Sequence, residues 1–186
     1  MSENTSESLV IRDVTIFTPE GRVDGDCRIE SGRIVEVGRV DGRAAETIRG
    51  EGRWLFPGAI DAHVHFRDPG FPHKEDWSSG SASAVAGGVT TVFDMPNTSP
   101  TTTDARRLAE KRQLADDKSI CNFGLFFGAT TDNTQIYDSI DGVPGLKIFM
   151  GSSTGELLVH RQEDLEGVGD AEHGRIAVQA EKQEGV

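Results

Sequence analysis

The stretch that decides the fold covers residues 60–70 and reads Ile60-Asp61-Ala62-His63-Val64-His65-Phe66-Arg67-Asp68-Pro69-Gly70. It lacks the 3.6-residue apolar period of a helix, so we predict a strand over residues 59–66 that stops before Pro69-Gly70. Alternate side chains of a strand point to opposite faces. One face of this strand is therefore predicted to carry four polar side chains: Asp61, His63, His65 and Arg67. That face ends in a loop, where a substrate can reach it.

Strand and helix patterns alternate after Pro57. The predicted strands are 59–66, 90–95, 120–127, 145–150 and 175–180. The predicted helices are 75–86, 103–115, 134–140 and 162–172. This alternation is typical of βα units with a parallel sheet, either a barrel or a doubly wound sheet. Polar residues at the carboxyl ends of several strands favour a barrel, and residues 58–186 are about half of the ~250 that a complete barrel needs. We therefore predict the α/β class, with a partial TIM (β/α)8 barrel of about five strands.

Residues 1–57 have a different pattern, in which short apolar runs are separated by turn residues. The runs are 9–11, 14–17, 27–29, 33–37 and 54–56, and the predicted turns are 19–21, 24–25 and 31–32. Such spacing predicts a β meander. We assign residues 1–57 to a small N-terminal β-sheet module and residues 58–186 to the incomplete barrel.

Composition limits the classes of partner. The formal net charge is -12, with 31 acidic against 19 basic residues, which argues against binding to nucleic acid or to an anionic membrane. The 14 Arg and 5 Lys residues fit either a protein kept soluble in concentrated salt or an ordinary acidic cytosolic protein. The polar N-terminus resembles no signal peptide, and no apolar run approaches a membrane span. We expect a cytoplasmic protein with a small-molecule partner.

Two candidate metal ligands and a lysine are the main chemical features. His63 and His65 are two residues apart on one strand, so they can share a divalent metal ion, with zinc favoured by ligand type. The alternative is two polar residues on an exposed strand face. Lys147 lies in an apolar strand, where an unpaired ammonium is costly to bury. A lowered pKa or reaction with carbon dioxide to give a metal-bridging carbamate would remove that charge; alternatively, the side chain reaches water at the strand end.

Arg67 and Asn97 predict an anionic substrate. A guanidinium binds a carboxylate through two hydrogen bonds, and an amide can donate to the same anion. The alternative is structural: Arg67 pairs with Asp68 or Glu75, and Asn97 serves the turn after Pro96.

Three motifs together resemble the cyclic amidohydrolase superfamily, and most closely its dihydroorotases that contain a bridging carboxylated lysine. The motifs are residues 56–70, 94–98 and 146–151. The resemblance implies two zinc ions, with His63 and His65 on the first and carboxylated Lys147 bridging to the second. It also implies that Arg67 and Asn97 bind the substrate carboxylate.

The reaction implied by the resemblance is the reversible ring closure of N-carbamoyl-L-aspartate to dihydroorotate in de novo pyrimidine biosynthesis. Two alternatives stay open: a cyclic amidohydrolase like dihydropyrimidinase or allantoinase, and a non-catalytic amidohydrolase-like fragment. Arg67 favours the carboxylated substrate. The resemblance leaves a homo-oligomer open.

The sequence departs from the family pattern in its last part. Gln179 stands where the family has a metal-binding His, and a neutral amide is a poor zinc ligand, which weakens the second zinc site. A further ligand His and the catalytic Asp base are expected beyond Val186, so we expect little or no activity from this chain alone. The resemblance also implies that the N-terminal module is half of a composite sandwich.

Overall fold

The computed structural model describes residues 8–151, 157–159 and 176–180. The contacts within the chain divide it into two compact units, Met1–Pro57 and Gly58–Val186. Each unit has its own sheets, and each is described here by itself.

The first unit is a four-stranded sheet. Its strands are β1 (Ser8–Thr18), β2 (Gly21–Glu30), β3 (Arg33–Gly38) and β4 (Glu46–Leu55), in the spatial order β3-β2-β1-β4. β1 with β2 and β2 with β3 are antiparallel, whereas β4 is parallel to β1. Val14, Ile16 and Cys27 form the buried cluster of this unit.

Two details of the predicted meander are wrong. Asp24-Gly25, predicted as a turn, lies inside β2, where Gly25 is opposite Val14 of β1. Gly25 has a φ of 158°, and a Cβ there would lie 2.5 Å from the carbonyl oxygen of Gly38, so the close approach of β3 requires a glycine. The meander also ends at β3, because β4 joins the other edge of β1 in parallel.

The second unit alternates strands and helices, as predicted. Its strands are β5 (Ala59–Val64), β6 (Val89–Asp94), β7 (Asn122–Leu125), β8 (Phe127–Gly128), β9 (Leu146–Phe149) and β10 (Ile176–Gln179). Its helices are α1 (Trp77–Ala86), α2 (Ala105–Lys118) and a 3-10 helix (Thr134–Ser139). The strands pair in parallel as two sheets, ordered β5-β6-β7 and β8-β9-β10. The α/β class is confirmed, and closure into part of a TIM barrel stays a prediction.

The predicted elements differ from the observed ones mainly at their ends. The strand predicted over 120–127 is divided at Phe126, whose amide bonds to Asp94 O of β6 before the chain passes to the other sheet. The predicted helix 134–140 is a 3-10 helix, and the predicted helix 162–172 lies outside the described residues. Neither α-helix in the described part of the chain is long and apolar enough to cross a membrane.

Both α-helices begin at an aspartate that caps the first turn. Asp76 accepts a hydrogen bond from the Ser79 amide, and Asp104 accepts one from the Arg107 amide. Behind these caps, Trp77 of α1 packs edge-on against Phe66, with 5.0 Å between the ring centroids. Phe66 directly follows His65, so this aromatic contact anchors the chain where β5 ends.

The contact between α1 and Phe66 depends on Gly80. A Cβ at this position would lie 2.7 Å from Cδ1 of Phe66. We expect Gly80→Ala to lower the free energy of unfolding by about 1–3 kcal/mol, because a well-packed core resists an added methyl group. Helix propensity alone would change the free energy of unfolding in the opposite direction, because it favours Ala over Gly.

The measurement is urea unfolding followed by circular dichroism, with Ser83→Ala as the matched control because Ser83 is an exposed residue of the same helix. The control should be neutral or stabilising, since alanine has the higher helix propensity. An equal or higher stability of Gly80→Ala would show that the packing argument is wrong.

Candidate functional site

His63 and His65 lie together where β5 ends. Their ring centroids are 5.2 Å apart, with the ring planes tilted by 54°. β5 ends at Val64, two residues earlier than predicted, and its register with β6 shifts between Asp61 and Val64. Arg67 has a φ of 62°, which is not a strand conformation. The alternation of side-chain faces along β5 therefore does not extend to Arg67. The two imidazoles lie close together at the end of β5.

Asn97 joins this histidine pair from the loop after β6. Its Oδ1 lies 2.8 Å from Nδ1 of His65, and the Asn97 side chain is buried. An amide oxygen only accepts, so His65 donates from Nδ1 and its Nε2 keeps a lone pair for a ligand. This hydrogen bond is the arrangement expected behind a metal-binding histidine.

Lys147 occupies the second position of β9, a strand whose four residues are all buried. Its side chain is 2% exposed, and its Nζ lies 5.3 Å from the centroid of the Phe149 ring. Burial lowers the pKa of the Lys147 amine. The alternative of a side chain that reaches water is therefore not what the structure shows.

The site favours neutral imidazoles. Burial lowers the pKa of His63, and the positive charge of Lys147 lowers it further, against an opposing effect of Asp61. Burial likewise lowers the pKa of His65, although the hydrogen bond with Asn97 acts in the opposite direction. A neutral imidazole is the form that binds a metal ion.

The loop that carries Arg67 is fixed by its neighbour Asp68. The Asp68 carboxylate lies 2.8 Å from Nζ of Lys118, and the Asp68 carbonyl accepts a hydrogen bond from Nε1 of Trp77 at 3.1 Å. Glu75 accepts from the Ser79 hydroxyl. Within the described chain, neither carboxylate forms an ion pair with Arg67, so the structural alternative for this residue is not observed.

The sequence reasoning missed a buried ion pair beside the site. Asp94, the last residue of β6, accepts a hydrogen bond from the Phe66 amide at 2.8 Å and lies 2.5 Å from Nζ of Lys111. Both side chains are almost completely buried. The only sequence indication is that Lys111 shares a helix face with Leu108 and Ala115, the other buried residues of α2.

The residues that could hold a metal ion come from two sheets. His63 and His65 supply two nitrogen donors from β5 and its end, and Lys147 lies on β9. Among residues 8–151, 157–159 and 176–180, no group of three or more His, Cys, Asp or Glu side chains is placed to hold a metal ion. A third ligand beside the two histidines would be the predicted carbamate form of Lys147. Gln179 ends β10, opposite Phe149 of β9.

Residues 54–180 match the model of the amidohydrolase family, and the chain belongs to this family. It is 44% identical to a dihydroorotase of Halobacterium salinarum over 151 residues, which are 80% of this chain and 35% of that protein. It is 38% identical to an allantoinase of Deinococcus radiodurans over 152 residues, 80% of this chain and 34% of that protein. The chain thus spans about a third of the length of these relatives.

A solved structure shows the same fold. The L-hydantoinase (dihydropyrimidinase) from Arthrobacter aurescens superposes with a TM-score of 0.78 at 24% identity, covering 87% of this chain and 37% of that one. At this identity the likeness concerns the fold alone.

We predict that the pKa of His65 lies below the ordinary value and falls further in Asn97→Ala. The amide oxygen of Asn97 stabilises the charged ring by accepting from Nδ1, so its removal favours the neutral form. An NMR pH titration of the imidazole protons measures both midpoints. The control is Asn122→Ala, at an exposed position of β7, which should leave the His65 midpoint unchanged. An upward shift in Asn97→Ala would contradict the assigned hydrogen bond.

Proposed function

We propose that this chain supplies the first metal site and the substrate-carboxylate site of a dihydroorotase-type cyclic amidohydrolase. One observation carries the proposal: Asn97 bonds to His65 at 2.8 Å, so the predicted metal ligands and a predicted substrate ligand form one cluster. The dihydroorotase of Halobacterium salinarum, at 44% identity, supports this choice of reaction.

His63, His65 and Lys147 would hold a divalent metal ion, for which the two imidazoles favour zinc. When bound, the metal ion polarises the amide carbonyl and makes a water molecule a better nucleophile. The lowered pKa of Lys147 favours the neutral amine, whose lone pair would bond to the carbon of carbon dioxide while one C=O π bond opens to leave its electron pair on oxygen. Loss of a proton from the nitrogen to solvent would then give a carbamate anion whose oxygens can serve as ligands. Gln179 in place of a histidine favours one firmly held ion over two.

Arg67 and Asn97 would recognise the carboxylate of dihydroorotate and of N-carbamoyl-L-aspartate. The guanidinium can form two parallel hydrogen bonds with that carboxylate, and the Asn97 amide can add a third. Binding of the carboxylate at the end of β5 would bring the ring amide towards the histidine pair. In a cell the reaction would serve pyrimidine biosynthesis.

A second candidate is the hydrolysis of allantoin or of a dihydropyrimidine. The allantoinase of Deinococcus radiodurans, at 38% identity, favours it. Neither substrate carries a ring carboxylate, so neither accounts for Arg67, whose positive charge adds to burial in lowering the pKa of His65. Arg67 is therefore the residue that separates the two candidates.

A hybrid enzyme tests the proposal. The aligned part of the Halobacterium salinarum dihydroorotase is replaced by the matching residues of this chain, and turnover of dihydroorotate, dihydrouracil and allantoin is compared. We expect zinc-dependent turnover of dihydroorotate. Arg67→Gln in the hybrid should lower kcat/KM for dihydroorotate about tenfold to a hundredfold, because a charge-assisted hydrogen bond contributes about 1.5–3 kcal/mol.

Two controls make this result specific. Arg67→Lys keeps the charge but not the guanidinium fork, so its activity should lie between those of the parent hybrid and Arg67→Gln. Arg106→Gln changes an exposed arginine of α2 and should leave turnover unchanged. A hybrid that prefers dihydrouracil or allantoin would replace the first candidate with the second.

A further inference from the structure

We infer that Lys111 is a positioning residue for the metal site, acting through Asp94. The inference rests on the proposed function, because it assumes that His65 is a metal ligand. It extends that function to a helix residue outside the cluster of His63, His65, Asn97 and Lys147. No substrate contact is assigned to Lys111.

Asp94 holds the chain between two residues of the site. Its Oδ1 accepts a hydrogen bond from the Phe66 amide at 2.8 Å. Phe66 stands between His65 and Arg67, so this bond fixes the backbone from which both side chains extend. β5 ends at Val64, so this bond links the chain to β6 beyond the end of the strand pairing.

Lys111 fixes Asp94 and the next residue together. Its Nζ lies 2.5 Å from Oδ2 of Asp94 and donates to the Met95 carbonyl at 2.8 Å. Met95 lies two residues before Asn97, the partner of His65. One ammonium group therefore holds the backbone in position at the end of β6. Through Asp94, it also holds the backbone that follows β5.

Burial makes this arrangement rigid. Lys111 is 1% exposed and Asp94 is 0% exposed. If the Lys111 side chain were removed, water could replace its contacts only after a cavity had opened. A metal site needs its ligands held in the binding geometry before the ion arrives. Loss of Lys111 should therefore weaken metal binding even in molecules that remain folded.

The test measures zinc affinity of the 186-residue protein by competition with a chromophoric chelator. Lys111→Met removes the charge and keeps an unbranched side chain, whereas Arg106→Met makes the same kind of change in the exposed pair with Glu110 on the same helix. Circular dichroism gives the folded fraction of each sample. Per folded molecule, we expect zinc binding at least tenfold weaker in Lys111→Met and within twofold of the parent in Arg106→Met.

A second readout reports on the backbone itself. In protein labelled with ¹⁵N-phenylalanine, the Phe66 amide should exchange its hydrogen at least tenfold faster in Lys111→Met than in the parent. If Lys111→Met does not fold, the double variant Asp94→Asn/Lys111→Met, which leaves no unpaired buried charge, takes its place with the same expectations.

The outcomes separate the two claims. A parent protein that does not bind zinc would overturn the proposed function and this inference with it. A parent that binds zinc, together with a folded Lys111 variant whose affinity stays within twofold, would overturn the inference alone.

Discussion

The candidate site depends on the buried carboxylate of Asp94. Its side chain is 0% exposed at the carboxyl end of β6, where an unpaired charge would be very costly. Lys111 of α2 forms an ion pair with this carboxylate, and the Phe66 amide donates a hydrogen bond to it. The need to pair one charge therefore joins three parts of the second unit: α2, the end of β6 and the chain after β5. Breaking such a buried pair typically destabilises a protein by about 3–5 kcal/mol.

Aromatic packing lies beneath the cluster of His63, His65, Asn97 and Lys147. Phe66 packs against Trp77, and Trp77 in turn contacts the ring of Phe123 on β7 at 5.4 Å between centroids. The indole of Trp77 also donates to the Asp68 carbonyl, so the same side chain holds the chain on both sides of Arg67. Packing thus fixes the left-handed backbone of Arg67, while hydrogen bonds fix His65 and Asn97. The result is a tightly packed edge of the sheet around His65, Arg67 and Asn97.

Much of this architecture follows from local sequence patterns. The order of strands and helices after Pro57 was predictable because apolar runs and helical periods alternate there, and His63, His65, Asn97 and Lys147 each stand at or near a strand end. The parallel pairing of β4 with β1 was not predictable, because Gly50 and Gly52 interrupt the strand pattern and the pairing joins distant segments. The burial of Lys111 was not predictable for a similar reason. A lysine in a polar helix is ordinarily exposed, and only its distant partner Asp94 explains its burial.

The proposed metal site is formed by His63 and His65 together with Lys147. X-ray absorption at the zinc edge of the zinc-loaded protein tests it most directly, because it identifies the atoms bound to the ion. We expect two imidazole nitrogens at about 2.0–2.1 Å together with oxygen ligands, and the loss of one imidazole in His65→Ala. A sulfur shell at about 2.3 Å, which would indicate cysteine, or an imidazole count that does not change in His65→Ala, would contradict it.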